Sequence, residues 1–227
     1  MSSAGGNGGG AASLAVLRSM KARKPPDPTV QRCDMCAEQI NDEHQHVVDL
    51  HSRALMCTCR ACYLLFVSTD AQIRYRAVPE RYLSFPTLSL QASQWDTLQI
   101  PVGLAFFFFS SVLDRTVALY PGPAGVTESE LALDPWDAVT EANPQLKQAA
   151  PDVEALLVQA PGPDHAEFRC YLVPIDSCYE LAGRMRMVWR GFDGGSDARQ
   201  VIADFFADVA RRSKPAKDLA ASEVRDG

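Results

Sequence analysis

The sequence predicts an α+β fold in which a small treble-clef-like zinc-ribbon module is followed by a mixed or antiparallel sheet with helices. Three observations carry this. Five of the seven cysteines crowd between Cys33 and Cys62. The chain beyond residue 95 alternates strand-like and helix-like runs without the strict rhythm of a parallel sheet. The run Ile100–Phe109 is almost wholly apolar, as a strand buried on both faces requires.

In chain order, residues 1–29 read as a disordered Gly/Pro-rich tail: a glycine-rich start precedes Pro25-Pro26. Residues 30–78 form the cysteine-rich metal-binding module. Within it, His46–Leu50 and Ala54–Thr58 are the arms of a hairpin around His51-Ser52-Arg53, and the run after Cys59 has helical apolar spacing at Leu64, Leu65 and Val67. Residues 95–212 form the α+β domain. Ile100–Ser110, Thr116–Tyr120, Val153–Gln159 and Glu167–Val173 read as strands. Asp134-Pro135, Asp176 and Ser196 read as helix starts, each supplying a capping oxygen. Residues 213–227 read as a second disordered tail.

Charge narrows the function classes. Residues 94–213 hold nine basic and seventeen acidic side chains, so the main body repels phosphate backbones and no nucleic-acid partner is expected. Ile100–Phe109 is about half the ~20 residues of a bilayer-crossing helix, so no membrane span is expected. The first residues lack the basic start and apolar run of a secretory signal. With seven cysteines, an odd number, the chain fits a cytoplasmic protein whose thiols stay reduced.

The cysteine spacing carries the chemistry. Cys33-Asp-Met-Cys36 and Cys59-Arg-Ala-Cys62 are two CxxC pairs separated by twenty-two residues. Each turn aims two sulfurs at one point, and two turns across a hairpin supply a tetrahedron of thiolates. Zinc is the default ion for a closed four-sulfur site, while a mononuclear iron or an iron–sulfur cluster uses the same donors. Rubredoxin-like knuckles place glycine after the second cysteine, whereas Ala37 and Tyr63 stand there. Cys57, two residues before Cys59, stands as an additional or alternative ligand, as do His44 and His46 of the Glu43-His44-Gln45-His46 run. The competing reading gives one histidine a hydrogen bond to a ligand sulfur and leaves the others solvated.

The larger unit offers less. Phe106–Phe109 fits a core strand better than a partner contact. The turn-rich stretch Tyr120–Gly125 lacks the glycine and lysine placement of a phosphate loop. Cys170 and Cys178 read as core thiols, since His165 is the one histidine outside the module that could activate a nucleophile. No catalytic residue is assigned.

The strings CDMC, EHQH, CTCRAC, IPVGLAFFF, YPGPAG, VPIDSCYELAG and RGFDGG together resemble an uncharacterised actinobacterial protein family of unknown function, over about residues 30–212. Its genes are often found beside those of high-affinity nickel–iron hydrogenases. The resemblance implies an accessory role in hydrogenase assembly, electron supply or stability, with a hydrogenase subunit or maturation protein as partner. Two functions therefore stand side by side: a non-enzymatic zinc-binding accessory protein, and an iron or iron–sulfur electron carrier serving a hydrogenase.

Overall fold

The structure, a computed structural model, describes residues 30–68, 74–129, 134–162, 165–191 and 194–216. The expected tails at 1–29 and 217–227 lie outside the described residues.

A three-stranded antiparallel sheet carries the cysteine-rich part. β1 (Gln45–Asp49) sits between β2 (Ala54–Thr58) and β3 (Tyr75–Ala77). The hairpin lies where alternation predicts it. Its turn needs Arg53 at φ 55°, a left-handed conformation that the Asn-Gly turn residues of tighter hairpins adopt more easily. Helix α1 (Arg60–Leu64) follows β2 at once.

The larger sheet has seven strands. They are β4 (Leu83–Ser84), β5 (Leu104–Ser110), β6 (Arg115–Gly122), β7 (Gly125–Glu128), β8 (Glu154–Gln159), β9 (Arg169–Pro174) and β10 (Lys214–Pro215). Their order is β10-β4-β9-β8-β5-β6-β7, antiparallel throughout except for the parallel β10–β4 edge. The mixed α+β class expected from the sequence holds. Within the stretch expected as tail, Lys214-Pro215 instead join the sheet: the Lys214 and Ala216 amides donate to Tyr82 and Ser84 carbonyls at 3.1 and 2.9 Å. Pro215 is tolerated there because an edge strand can spare a donor. In the Tyr120–Gly125 stretch, β6 runs to Gly122 and β7 starts at Gly125, so Pro123-Ala124 turn a tight hairpin with Gly122 opposite Gly125.

Alternation along the central strands splits their side chains between two cores. Phe106, Leu119 and Leu157 face one way, with Leu181, Met185, Phe205, Phe206 and Val209 of α4 (Asp176–Val188) and α5 (Gly195–Arg212). Phe107, Ala118 and Leu156 face the other, with Trp95 of α2 (Ala92–Thr97), Trp136 of α3 (Asp134–Ala142) and Leu146 of a 3-10 turn (Pro144–Gln148). The apolar β5 is thus buried on both faces at Phe106 and Phe107, while Phe109 emerges into solvent at 42% exposure. Val48 of β1 and Val78 just beyond β3 belong to the first core, so the cysteine-bearing sheet packs on the larger one.

Two helix starts differ from expectation. Ile175, not Asp176, is the N-cap of α4, and the Asp176 carboxylate turns to His46 instead. Gly194, not Ser196, caps α5, because the chain enters it at φ 82° and a Cβ there would lie 2.8 Å from Ala198 Cβ.

Candidate metal centre

The knuckle Cys33–Cys36 is shaped by the backbone. Cys33 accepts from the Ala37 amide at 2.8 Å and donates its own amide to Glu38 O at 2.8 Å. The turn puts Ala37 at φ 61°, so alanine adopts the left-handed conformation that glycine would take more cheaply. Asp34, between the two cysteines, clamps the knuckle to β2: its amide donates to Cys57 O at 2.8 Å and its carboxylate accepts from Cys57 N–H at 2.7 Å.

The second pair is set by α1. Cys59 is its N-cap, with Sγ accepting from the Cys62 amide at 3.5 Å. The four sulfurs of Cys33, Cys36, Cys59 and Cys62 lie within 4.8 Å of one another. Cys36 Sγ and Cys59 Sγ are 3.7 Å apart. A tetrahedral ion with metal–sulfur bonds of ~2.3 Å needs sulfur–sulfur edges of about 3.8 Å, so the donor set fits.

Electrostatics point the same way. Burial opposes ionisation of Cys33, but amides of Cys59, Cys36 and Met35 overcome it and bring the thiol down to about 6. Cys62 is pushed up to about 12, first by desolvation and then by the neighbouring sulfurs. One thiolate thus makes the next costly, until a cation neutralises the set.

The remaining expected residues form a second group. His44, His46 and Cys57 bring their ligand atoms within 4.8 Å of one another, His46 and Cys57 being direct cross-strand partners. The structure thus gathers Cys57 with the histidines. Its thiol is raised by desolvation, then by the charges of Asp34 and Cys33. Neither histidine Nδ1 serves a ligand sulfur: His44 Nδ1 lies 2.9 Å from Asn41 O, and His46 Nδ1 lies 2.9 Å from Asp176 Oδ2.

Sequence reasoning missed Asp34, Asp176 and the conformation of Ala37. An aspartate inside a CxxC knuckle was the available signal for the first; the second has none, because its partner is 130 residues away. Cys170 and Cys178 are buried core thiols, as expected, and desolvation raises both.

A family model described as "Family of unknown function (DUF5947)" matches residues 32–213, and the chain belongs to that family. No curated protein and no solved structure matches it. Among the described residues, no helix is long and apolar enough to cross a membrane.

Proposed function

We propose that this member of the DUF5947 family is a non-enzymatic, zinc-binding accessory protein linked to nickel–iron hydrogenase assembly or stability. In this reading Cys33, Cys36, Cys59 and Cys62 hold zinc in a treble-clef-like module of knuckle, hairpin and helix. The observation that carries it is the convergence of four sulfurs at tetrahedral spacing.

The packing supports a structural metal. Helix α1 has no buried residue, so hydrophobic burial does little to hold it. A metal bonded to Cys59 and Cys62 at one side and to Cys33 and Cys36 at the other ties helix to knuckle where a core cannot. At the end of the helix and just past it, Leu64, Leu65 and Val67 are exposed at 53, 69 and 50%. Apolar side chains held out beside a rigid centre suit contact with another protein. The hydrogenase link rests on the family resemblance of the motif strings, and the partner it implies is a hydrogenase subunit or maturation protein.

The electron-carrier reading is favoured by one feature, the exposure of Cys36, which would bring a bound iron close to solvent. Metal analysis of the full chain purified without oxygen separates the two. Colourless protein holding zinc supports the accessory reading. Iron with thiolate-to-iron charge-transfer bands overturns it in favour of the carrier. Co-purification with hydrogenase subunits or maturation proteins tests the partner, and repeated recovery without them removes it.

A further inference from the structure

We infer that His44, His46 and Cys57 form a second metal site, distinct from the four-sulfur centre, with an open coordination position. The argument starts from the tautomers. A backbone carbonyl and a carboxylate only accept, so the 2.9 Å contacts to Asn41 O and Asp176 Oδ2 require Nδ1–H on both rings. In its neutral form each ring therefore presents a bare Nε2 lone pair. Outer carboxylate and carbonyl partners orient metal-ligating histidines in this way and raise their basicity.

One ring nitrogen of each histidine lies within 4.8 Å of Cys57 Sγ and of the other, with the ring centroids 4.7 Å apart. With each Nδ1 engaged, Nε2 is the nitrogen left to ligate. His44 Nε2 is buried, and among the described residues no group hydrogen-bonds to it. A buried ring nitrogen left unpaired is costly, and an ion bound there removes the cost. The ~3.5 Å donor–donor edges of a tetrahedral nitrogen–sulfur site fall inside that 4.8 Å limit.

The two sites are separate by construction. Asp34 holds the Cys57 backbone through two hydrogen bonds, while Cys57 Sγ groups with the histidines rather than with the four sulfurs. Two nitrogens and one sulfur suit a borderline late first-row dication such as Zn²⁺ or Co²⁺. Binding displaces one proton, from Cys57 to solvent; both imidazoles coordinate neutral. Three protein ligands leave a fourth position for water or a small ligand. His44 and His46 border a cleft of about 790 Å³ whose wall carries Glu43, Glu80, Asp176, Glu180 and Asp208 against Arg212, a lining that attracts cations.

The test is a titration of the full chain, stripped of metal, with Co²⁺ alone, read by ligand-field and thiolate-to-cobalt bands and by bound cobalt per chain. The wild type is expected to take two equivalents. His44→Ala and Cys57→Ser should each take one, with the intense charge transfer of four thiolates intact. Cys36→Ser should disturb that strong band and leave the weaker single-thiolate signal. Should Cys57→Ser fail to fold, His44→Gln gives the same reading with the sulfur in place. One equivalent in the wild type, unchanged in number and spectrum by His44→Ala, overturns the second site and leaves the four-sulfur centre standing. One equivalent abolished by His44→Ala and untouched by Cys36→Ser does the reverse.

Discussion

His46 on β1 and Asp176 in the first turn of α4 are joined Nδ1 to Oδ2 at 2.9 Å across 130 residues of chain. The contact ties the cysteine-bearing sheet to the helix that covers the larger one. It also fixes which nitrogen of His46 is left free. Asp176→Asn keeps the shape, yet its side chain no longer acts as a pure acceptor toward Nδ1. Co²⁺ affinity at the second site is expected to fall 10- to 100-fold with the four-sulfur spectrum unchanged. Asp176→Glu should restore part of the loss, which a purely structural role would not require.

Glu154, the first residue of β8, is a buried anchor. At 1% exposure it accepts from Arg81 Nε and Nη2 at 2.7 and 2.5 Å, and from the Ala150 amide at 2.7 Å. Arg81→Ala leaves a buried carboxylate without its cation. Removing one partner of a fully buried pair costs about 3–5 kcal/mol, and the half-exposed Arg81 brings the expected loss to about 2 kcal/mol. Denaturant unfolding of the full chain checks it.

Trp136 stacks on Phe107 with centroids 3.7 Å apart and planes 6° from parallel. Both are about 1% exposed. Trp136→Ala is expected to cost about 3–5 kcal/mol, the range for deleting a large aromatic from a core. A loss under about 1 kcal/mol in urea titration would contradict the packing described.

Asp49 is held well below the ordinary carboxylate range, chiefly by its hydrogen bonds to Arg74, against a desolvation penalty. Nε and Nη2 of Arg74 donate to it at 2.9 and 2.5 Å. A depressed folded-state value means the contribution is full above the unfolded carboxylate pKa of about 3.9. It is lost as pH falls through the folded value. Arg74→Gln is therefore expected to lower stability at neutral pH and to flatten its decline below about pH 4. Parallel acid-dependence curves for the two proteins would refute this.

Thiol chemistry should divide the cysteines. Cys170 and Cys178 are buried, with ionisation suppressed by desolvation. An alkylating agent at neutral pH is expected to spare both in the folded chain, metal-loaded or stripped, and to reach Cys36 and its neighbours after metal removal. Mass mapping of modified peptides reads the pattern; early labelling of Cys178 would contradict its place in the core.

What the sequence revealed was local. Two CxxC pairs, the hairpin between them and the apolar β5 each announce themselves within a dozen residues. The four-sulfur convergence followed, because knuckle, hairpin and helix admit few arrangements. Long-range devices left no such trace. Asp176 looks like a helix cap since aspartate before a helical run commonly is one, and only the fold brings His46 within reach to claim its carboxylate. Ala37 gave no sign of a left-handed turn, since alanine adopts one only when surrounding hydrogen bonds enforce it. Lys214-Pro215 carries no strand signal, and pairs only because β4 offers a free edge. Leu64, Leu65 and Val67 have the spacing of a buried helix face, but the helix ends at Leu64 and all three stay in solvent.

The central claim is that Cys33, Cys36, Cys59 and Cys62 hold one metal ion. Metal-edge X-ray absorption on the full chain carrying His44→Ala, which silences the second site, tests it most directly. The account predicts a single shell of four sulfurs at about 2.3 Å around zinc. A folded chain without bound metal, or an ion coordinated by oxygen and nitrogen instead, would contradict it.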